Sequence, residues 1–321
     1  MTRREFCALV PALAQAGAAT PPVPRIAGEW TQIAAAPDLG KLSTPKQEVV
    51  DFAIWQALDG TWQAWSCIRN TAEPGAARLF YRWEGKQLTT GLWEPMGIAL
   101  RAEPAFGEQQ GSLQAPFVIK VDGKYHMYYT SGGRAFVMKS DDGKTFARAM
   151  TAPGQFGVFQ RFNVDPQQKI HGSGGRDIMI LRDKGRYIAY YTANPDGLGK
   201  VYARTSTNLL DWSEPVVVAF GGSAGTGPIT AECPWVYKLP DSPYYFLFRT
   251  QRYRHPPETR VYRSEDPFQF GIEDDRYLVT LLPVAAPELV MSDGKLYIAA
   301  LMPELNGLRV APLSFEATGN P

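Results

Sequence analysis

Residues 116–131 read PFVIKVDGKYHMYYTS: an apolar run, an Asp-Gly turn, then an aromatic-rich run. An Asp-Gly pair between two such runs is a strong hairpin signal, because the tight turns that match strand twist need positive φ at both central positions. Working outward, the same design recurs as AIWQALDGTWQAWS from Ala53, IMILRDKGRYIAYYTA from Ile178, PWVYKLPDSPYYFLFR from Pro234 and PELVMSDGKLYIAAL from Pro287. The starts are 63, 62, 56 and 53 residues apart, the length of a four-stranded propeller blade. A β-sandwich offers no reason for that regularity. Third-strand echoes, AFVMKSDDGKTF, VYARTSTNLLDW and RVYRSEDPFQF, each run into an Asp-containing turn and an aromatic.

The sequence therefore predicts an all-β, five-bladed β-propeller, a single domain spanning residues 25–321. The last repeat has only 35 residues and about 28 precede the first anchor, so a segment within 25–42 is expected to supply the outer strand of the fifth blade and close the ring. Composition agrees: 30 Gly, 26 Pro and 39 Phe, Tyr and Trp together suit short strands and turns. With 33 Lys and Arg against 32 Asp and Glu, and no basic run, the chain lacks the electrostatic footprint of a nucleic-acid or anionic-membrane binder.

Residues 1–20, MTRREFCALVPALAQAGAAT, combine an Arg pair, a short apolar run and small residues. They read as a twin-arginine type export signal, too short to span a membrane, and place the protein outside the cytoplasm. Beyond them remain only Cys67 and Cys233, too few for a disulfide framework.

The innermost strands of a propeller run in parallel, so the residues just ahead of each apolar run gather at one mouth of the channel. These are Asp51, Gln114, Arg176 with Asp177, Glu232 and Ala285. Carboxyls brought together in a partly dry pocket cannot all ionise, which leaves a proton donor beside a base, the equipment for glycoside hydrolysis. Taken singly, each acid also suits a strand-end cap or an ion pair, with Arg176 neutralising Asp177.

The order Asp in blade one, Asp in blade three and Glu in blade four resembles the five-bladed propeller glycosidases of families 43, 62 and 117 and the fructosidases of family 32. The likeness runs from about residue 45 to the end of the chain. GRD (175–177) and AECP (231–234) are similar to the RDP and EC motifs of fructosidases, and QAP (114–116) to the WAP of family 43. The resemblance implies that Asp51 is the general base, or the nucleophile of a retaining enzyme, Asp177 the modulator of the acid, and Glu232 the general acid. Phe52 and Ile178 stand where family 43 has Pro, the fructosidase run around the first Asp is missing, and the chain has no room for a fructosidase sandwich. The implied substrate is an arabinofuranoside or xyloside-like unit of an oligo- or polysaccharide, cleaved with inversion.

Around these, Arg176, His171, Gln114 and Trp235 are candidate sugar contacts. Trp30, Trp93, Phe159 and Phe162 offer further apolar faces, and Arg69 and Arg249 are expected to line the pocket or pair with surface acids. Three histidines without ligand spacing make no zinc site, and no cofactor is implied, although family 43 allows a calcium ion in the channel. Two other readings are a catalytically silent carbohydrate-binding propeller and, from SDDGKTF, a six-bladed sialidase.

Overall fold

The computed structural model describes residues 21–159 and 175–317; residues 1–20, Phe162 and His171 lie outside them. After β1 (Pro22–Ile26) and β2 (Thr31–Ala35), blade one comprises β3 (Glu48–Gln56), β4 (Trp62–Arg69), β5 (Leu79–Gly85) and β6 (Glu94–Leu100). Blade two holds β7 (Leu113–Val121), β8 (Lys124–Ser131) and β9 (Arg134–Ser140), with a broken outer edge, β10 (Ala147–Arg148) and β11 (Gly157–Val158). Blade three is β12 (Arg176–Asp183), β13 (Arg186–Ala193), β14 (Lys200–Ser206) and β15 (Val216–Phe220). Blade four is β16 (Glu232–Lys238), β17 (Tyr245–Arg252), β18 (Glu258–Ser264) and β19 (Leu278–Leu282). Blade five is β20 (Glu288–Ser292), β21 (Lys295–Leu301) and β22 (Gly307–Ala317), completed by β1 and β2.

The five hairpins read from sequence are thus the first two strands of five blades. Their turns at Asp122-Gly123, Lys184-Gly185 and Asp293-Gly294 carry positive φ at both positions, as a type I′ turn requires. Five blades also exclude the six-bladed sialidase reading.

Ring closure occurs where the sequence placed it, with one elaboration. The outer edge of blade five is two strands rather than one: β2 pairs with 307–310 of β22 and β1 with 313–317, both antiparallel. Gly28 lies in the step between them, and a Cβ there would come 3.1 Å from the Pro312 ring. β1 begins at Pro22, three residues ahead of the expected boundary.

Middle strands are buried on both faces because blades stack face to face, so β4 is buried from Trp62 to Ile68 while β6, on the outer edge, is largely exposed. The third-strand echoes serve this stacking. The turn that follows docks on the preceding blade: Trp55 Nε1 donates to Gly143 O (2.8 Å), Tyr128 Oη to Leu209 O (3.3 Å) and Tyr190 Oη to Pro267 O (2.9 Å). Phe146 then packs edge-on against Trp55 and Trp65. Cys67, fully buried, stitches blade one to blade two through Sγ to Leu113 O.

Candidate active site

The first strands β3, β7, β12, β16 and β20 touch one another around the axis. Near the start of each stands a residue with left-handed backbone: Asp51 (φ 38°), Ala115 (51°), Asp177 (58°), Cys233 (45°) and Ala286 (47°). In four blades the register with the second strand slips there, between Val50 and Phe52, Gln114 and Phe117, Arg176 and Met179, and Glu232 and Trp235. A bulge of this kind re-aims a side chain, and here it turns one residue per blade into the channel mouth. Asp51, Asp177 and Cys233 offer carboxylate and thiol atoms all within 4.8 Å of one another.

This equivalence refines the sequence reading. Asp51 and Asp177 occupy matching positions, whereas Glu232 stands one residue earlier, matching Gln114 and Arg176. Those three face Thr130, Thr192 and Thr250 across their hairpins. Glu232 therefore enters from the rim and Asp177 from the channel wall.

Arg176 clamps Glu232, with Nη2 on Oε1 and Nε 3.3 Å from Oε2, and its Nε lies 3.8 Å from Asp177 Oδ2. Its main partner is thus Glu232 rather than the adjacent Asp177. The backbone N–H of Cys233 donates to Asp177 Oδ2 at 3.0 Å. Burial, reinforced by the charges of Glu232 and Asp51, pushes the Asp177 carboxyl up to about 7 against the pull of Arg176. Burial also raises Glu232, opposed chiefly by Arg176. Two neighbouring carboxyls that both favour a proton titrate as a pair.

Two residues that the sequence did not single out complete the cluster. Cys233 Sγ lies 3.6 Å from Asp51 Oδ1, and the Tyr253 hydroxyl lies 3.0 Å from that sulfur and 3.4 Å from the same carboxylate oxygen. Burial raises both the thiol and the phenol well above their usual ranges, so both present protons to Asp51. Tyr253 arrives on the strap between β17 and β18, whose next residues tie blade four to two other blades: Arg254 to Glu48 of blade one, His255 to Glu304 of blade five. Nothing local in YRHPPE announces these long-range contacts.

Gln114 sits at the rim, its Oε1 accepting from Arg78 Nη1. Trp235 lies below the mouth and packs edge-on against Phe117. Arg69 does reach the rim, on Glu48 at 2.6 Å. Arg249 does not: it is buried, its Nε donating to Thr230 O at 2.7 Å, and it supports the loop before Glu232. Trp30 stacks under Arg309 in blade five, while Trp93 and Phe159 fill the core.

Below the mouth, a cavity of about 30 Å³ is lined by Asp51, Asp177 and Cys233 above apolar groups such as Pro116, Phe117 and Met179. It holds about one water, too little for a sugar ring. Glu288, also on its wall, is buried, driven well above the carboxylate range by that burial, and accepts from the Ile54 N–H at 3.1 Å. Two carboxylates and a protonated thiol do not suit calcium, which takes six to eight oxygen ligands.

The chain is an all-β ring of five blades with acids at one mouth, and comparison with solved structures bears out that fold. No family model and no curated protein matches the chain. Among solved structures, the chain is similar to an α-L-arabinofuranosidase from Clostridium thermocellum, at 15% identity and a TM-score of 0.59 over 84% of this chain and 91% of that one. It is also similar to an endo-arabinase from Bacteroides thetaiotaomicron, at 16% identity and a TM-score of 0.58 over 84% and 95%. A family 32 β-fructofuranosidase from Bombyx mori matches at 16% identity and a TM-score of 0.57 over 87% of this chain and 61% of that longer one. The chain therefore has the fold on which glycoside hydrolases of families 43 and 32 are built.

Proposed function

We propose that this protein is a glycoside hydrolase acting on an arabinofuranoside or xyloside-like unit of an oligo- or polysaccharide. The observation that carries the reading is the convergence of Asp51, Asp177 and Glu232 at one mouth, with Arg176 on Glu232 and Asp177 drawn up to about 7. Asp51 takes a proton from water as the water oxygen bonds to the anomeric carbon. The bond from that carbon to the leaving oxygen breaks, and Glu232 gives the leaving oxygen its proton. Glu232 is left as an anion beside the Arg176 guanidinium, which stabilises it. Asp177, sharing its proton with Glu232, keeps the acid charged with a proton near neutrality.

The test uses aryl glycosides with good and poor leaving groups. Glu232→Gln is expected to lower turnover by about a hundredfold or more on the poor leaving group and far less on the good one. Equal, small losses on both would remove Glu232 as the acid. The engagement of Asp51 by Cys233 and Tyr253 favours a second reading, a propeller that binds sugar without cleaving it. Calorimetric binding with no release from any glycoside would select that one.

A further inference from the structure

The acids account for only part of the charge at the mouth. Arg69 ends β4, and the last registered pair of β4 and β5 is Ile68 with Leu79. The next residues along those strands are Arg69 and Arg78, so two guanidiniums follow one another across a hairpin end. Like charges placed opposite each other are destabilising, and among the described residues neither has a carboxylate of its own. Arg78 donates to the neutral amide of Gln114. Arg69 shares Glu48 with Arg254, two cations on one carboxylate whose side chain is only 14% exposed. Arg69 itself remains 32% exposed. Although burial works against its charge, Glu48 and then Asp51 hold it protonated, and its field extends to Glu232 in blade four.

Four guanidiniums, Arg69, Arg78, Arg176 and Arg254, thus ring a mouth that holds Glu48, Asp51, Asp177 and Glu232. Beside blades one and two, among the described residues, Arg69, Arg78 and Arg254 have only Glu48 and Asp51 to set against them, so the rim there is left with surplus positive charge. The neutral pentose that is cleaved cannot balance it, so the balancing anion belongs to a neighbouring unit of the saccharide.

We propose that the saccharide bound at this mouth carries, on a unit next to the pentose that is cleaved, a carboxylate or a sulfate ester held between Arg69 and Arg78. The inference rests on the reading of the mouth as a sugar site, and its test reads binding rather than turnover. The full chain as Glu232→Gln is titrated calorimetrically with galacturonate and galactose 6-sulfate as the two anionic arms and with galactose as the neutral arm, at 50 and 300 mM NaCl. At least one anionic sugar is expected to bind tenfold or more tighter than galactose, with the preference shrinking at high salt. Arg78→Gln should bring the anionic-to-neutral ratio toward one, while Arg78→Lys, which keeps the charge, should retain most of it. The arm that binds identifies carboxylate or sulfate.

Equal binding of charged and neutral sugars, binding of none, or a ratio indifferent to Arg78→Gln would overturn the proposal. Failure of the hydrolase reading looks different: anionic sugars bind, Arg78→Gln abolishes the preference, and the unmutated chain releases nothing from uronides, sulfated glycosides or neutral ones.

Discussion

Asp177 shows at the scale of one residue how the proposed catalysis is set against stability. Its carboxyl titrates near 3.8 when unfolded and is pushed up to about 7 by burial and by its anionic neighbours Glu232 and Asp51. The folded state then binds the extra proton between those two values, so Asp177 supports folding at low pH. That support is present in full below about 4 and is lost as pH rises through about 7, where folding must bury an anion. Asp177→Asn removes the liability while keeping an oxygen to accept from the Cys233 N–H. Thermal unfolding of this variant at pH 8 is expected above that of the unmutated protein, with the gap closing by pH 5, whereas hydrolysis is lost. A variant less stable at pH 8 would mean that Asp177 is anionic and well satisfied in the fold. The carboxyls were legible in the sequence because acids ahead of apolar strands stand out. Cys233 and Tyr253 were not, since a thiol and a phenol become functional only through the Asp51 carboxylate that the fold delivers from 182 and 202 positions away.

At the scale of the element, the device that makes the mouth is the left-handed residue at the opening of each inner strand, set in a bulge in four of the five blades. Only two of its five left-handed positions, Asp51 and Asp177, hold a side chain with an acid, and Ala115 and Ala286 carry the same backbone with nothing to aim. For an L-residue that conformation costs roughly 1–2 kcal/mol, and glycine escapes most of it. Ala115→Gly and Ala286→Gly are therefore expected to leave stability level or raise it by up to about 1 kcal/mol in urea unfolding, the gain being trimmed by the freer unfolded chain. The same change at Ala299, buried within β21, should cost about 1 kcal/mol. Losses of similar size at all three positions would deny the left-handed backbone at Ala115 and Ala286 its strain. The bulge also explains the partial success of sequence reading. Hairpins were legible because Asp-Gly turns and aromatic second strands repeat, but a bulge shifts alignment by one residue and carries no residue code. Asp51, Asp177 and Glu232 read as equivalent, and only the register separates the rim acid from the wall acid.

For the whole molecule the decisive question is how a ring made from one chain stays shut, and the seam lies in blade five. The repeat arithmetic exposed it, since a fifth blade with too few residues must borrow from the other end. It did not foresee two short strands sharing β22, because that follows from the length of β22 and the Pro312 contact at Gly28. Ile33 of β2 is fully buried, its carbonyl accepts from the Trp93 N–H of blade one at 2.7 Å, and it packs in the core that continues through blades one and two. Gly307 at the start of β22 lies so close that a Cβ would stand 2.1 Å from Ala34 O. If closure is integral to the fold, weakening the seam must weaken every blade at once. Ile33→Ala should cost about 2–5 kcal/mol, and Gly307→Ala should destabilise by prising β2 from β22. In both, urea unfolding followed by aromatic fluorescence and by far-ultraviolet dichroism is expected to remain one coincident transition with an unaltered slope and a lower midpoint. A separate early transition confined to one probe, with the main midpoint unmoved, would show instead that β1 and β2 dress a ring that four blades and a three-stranded sheet hold closed.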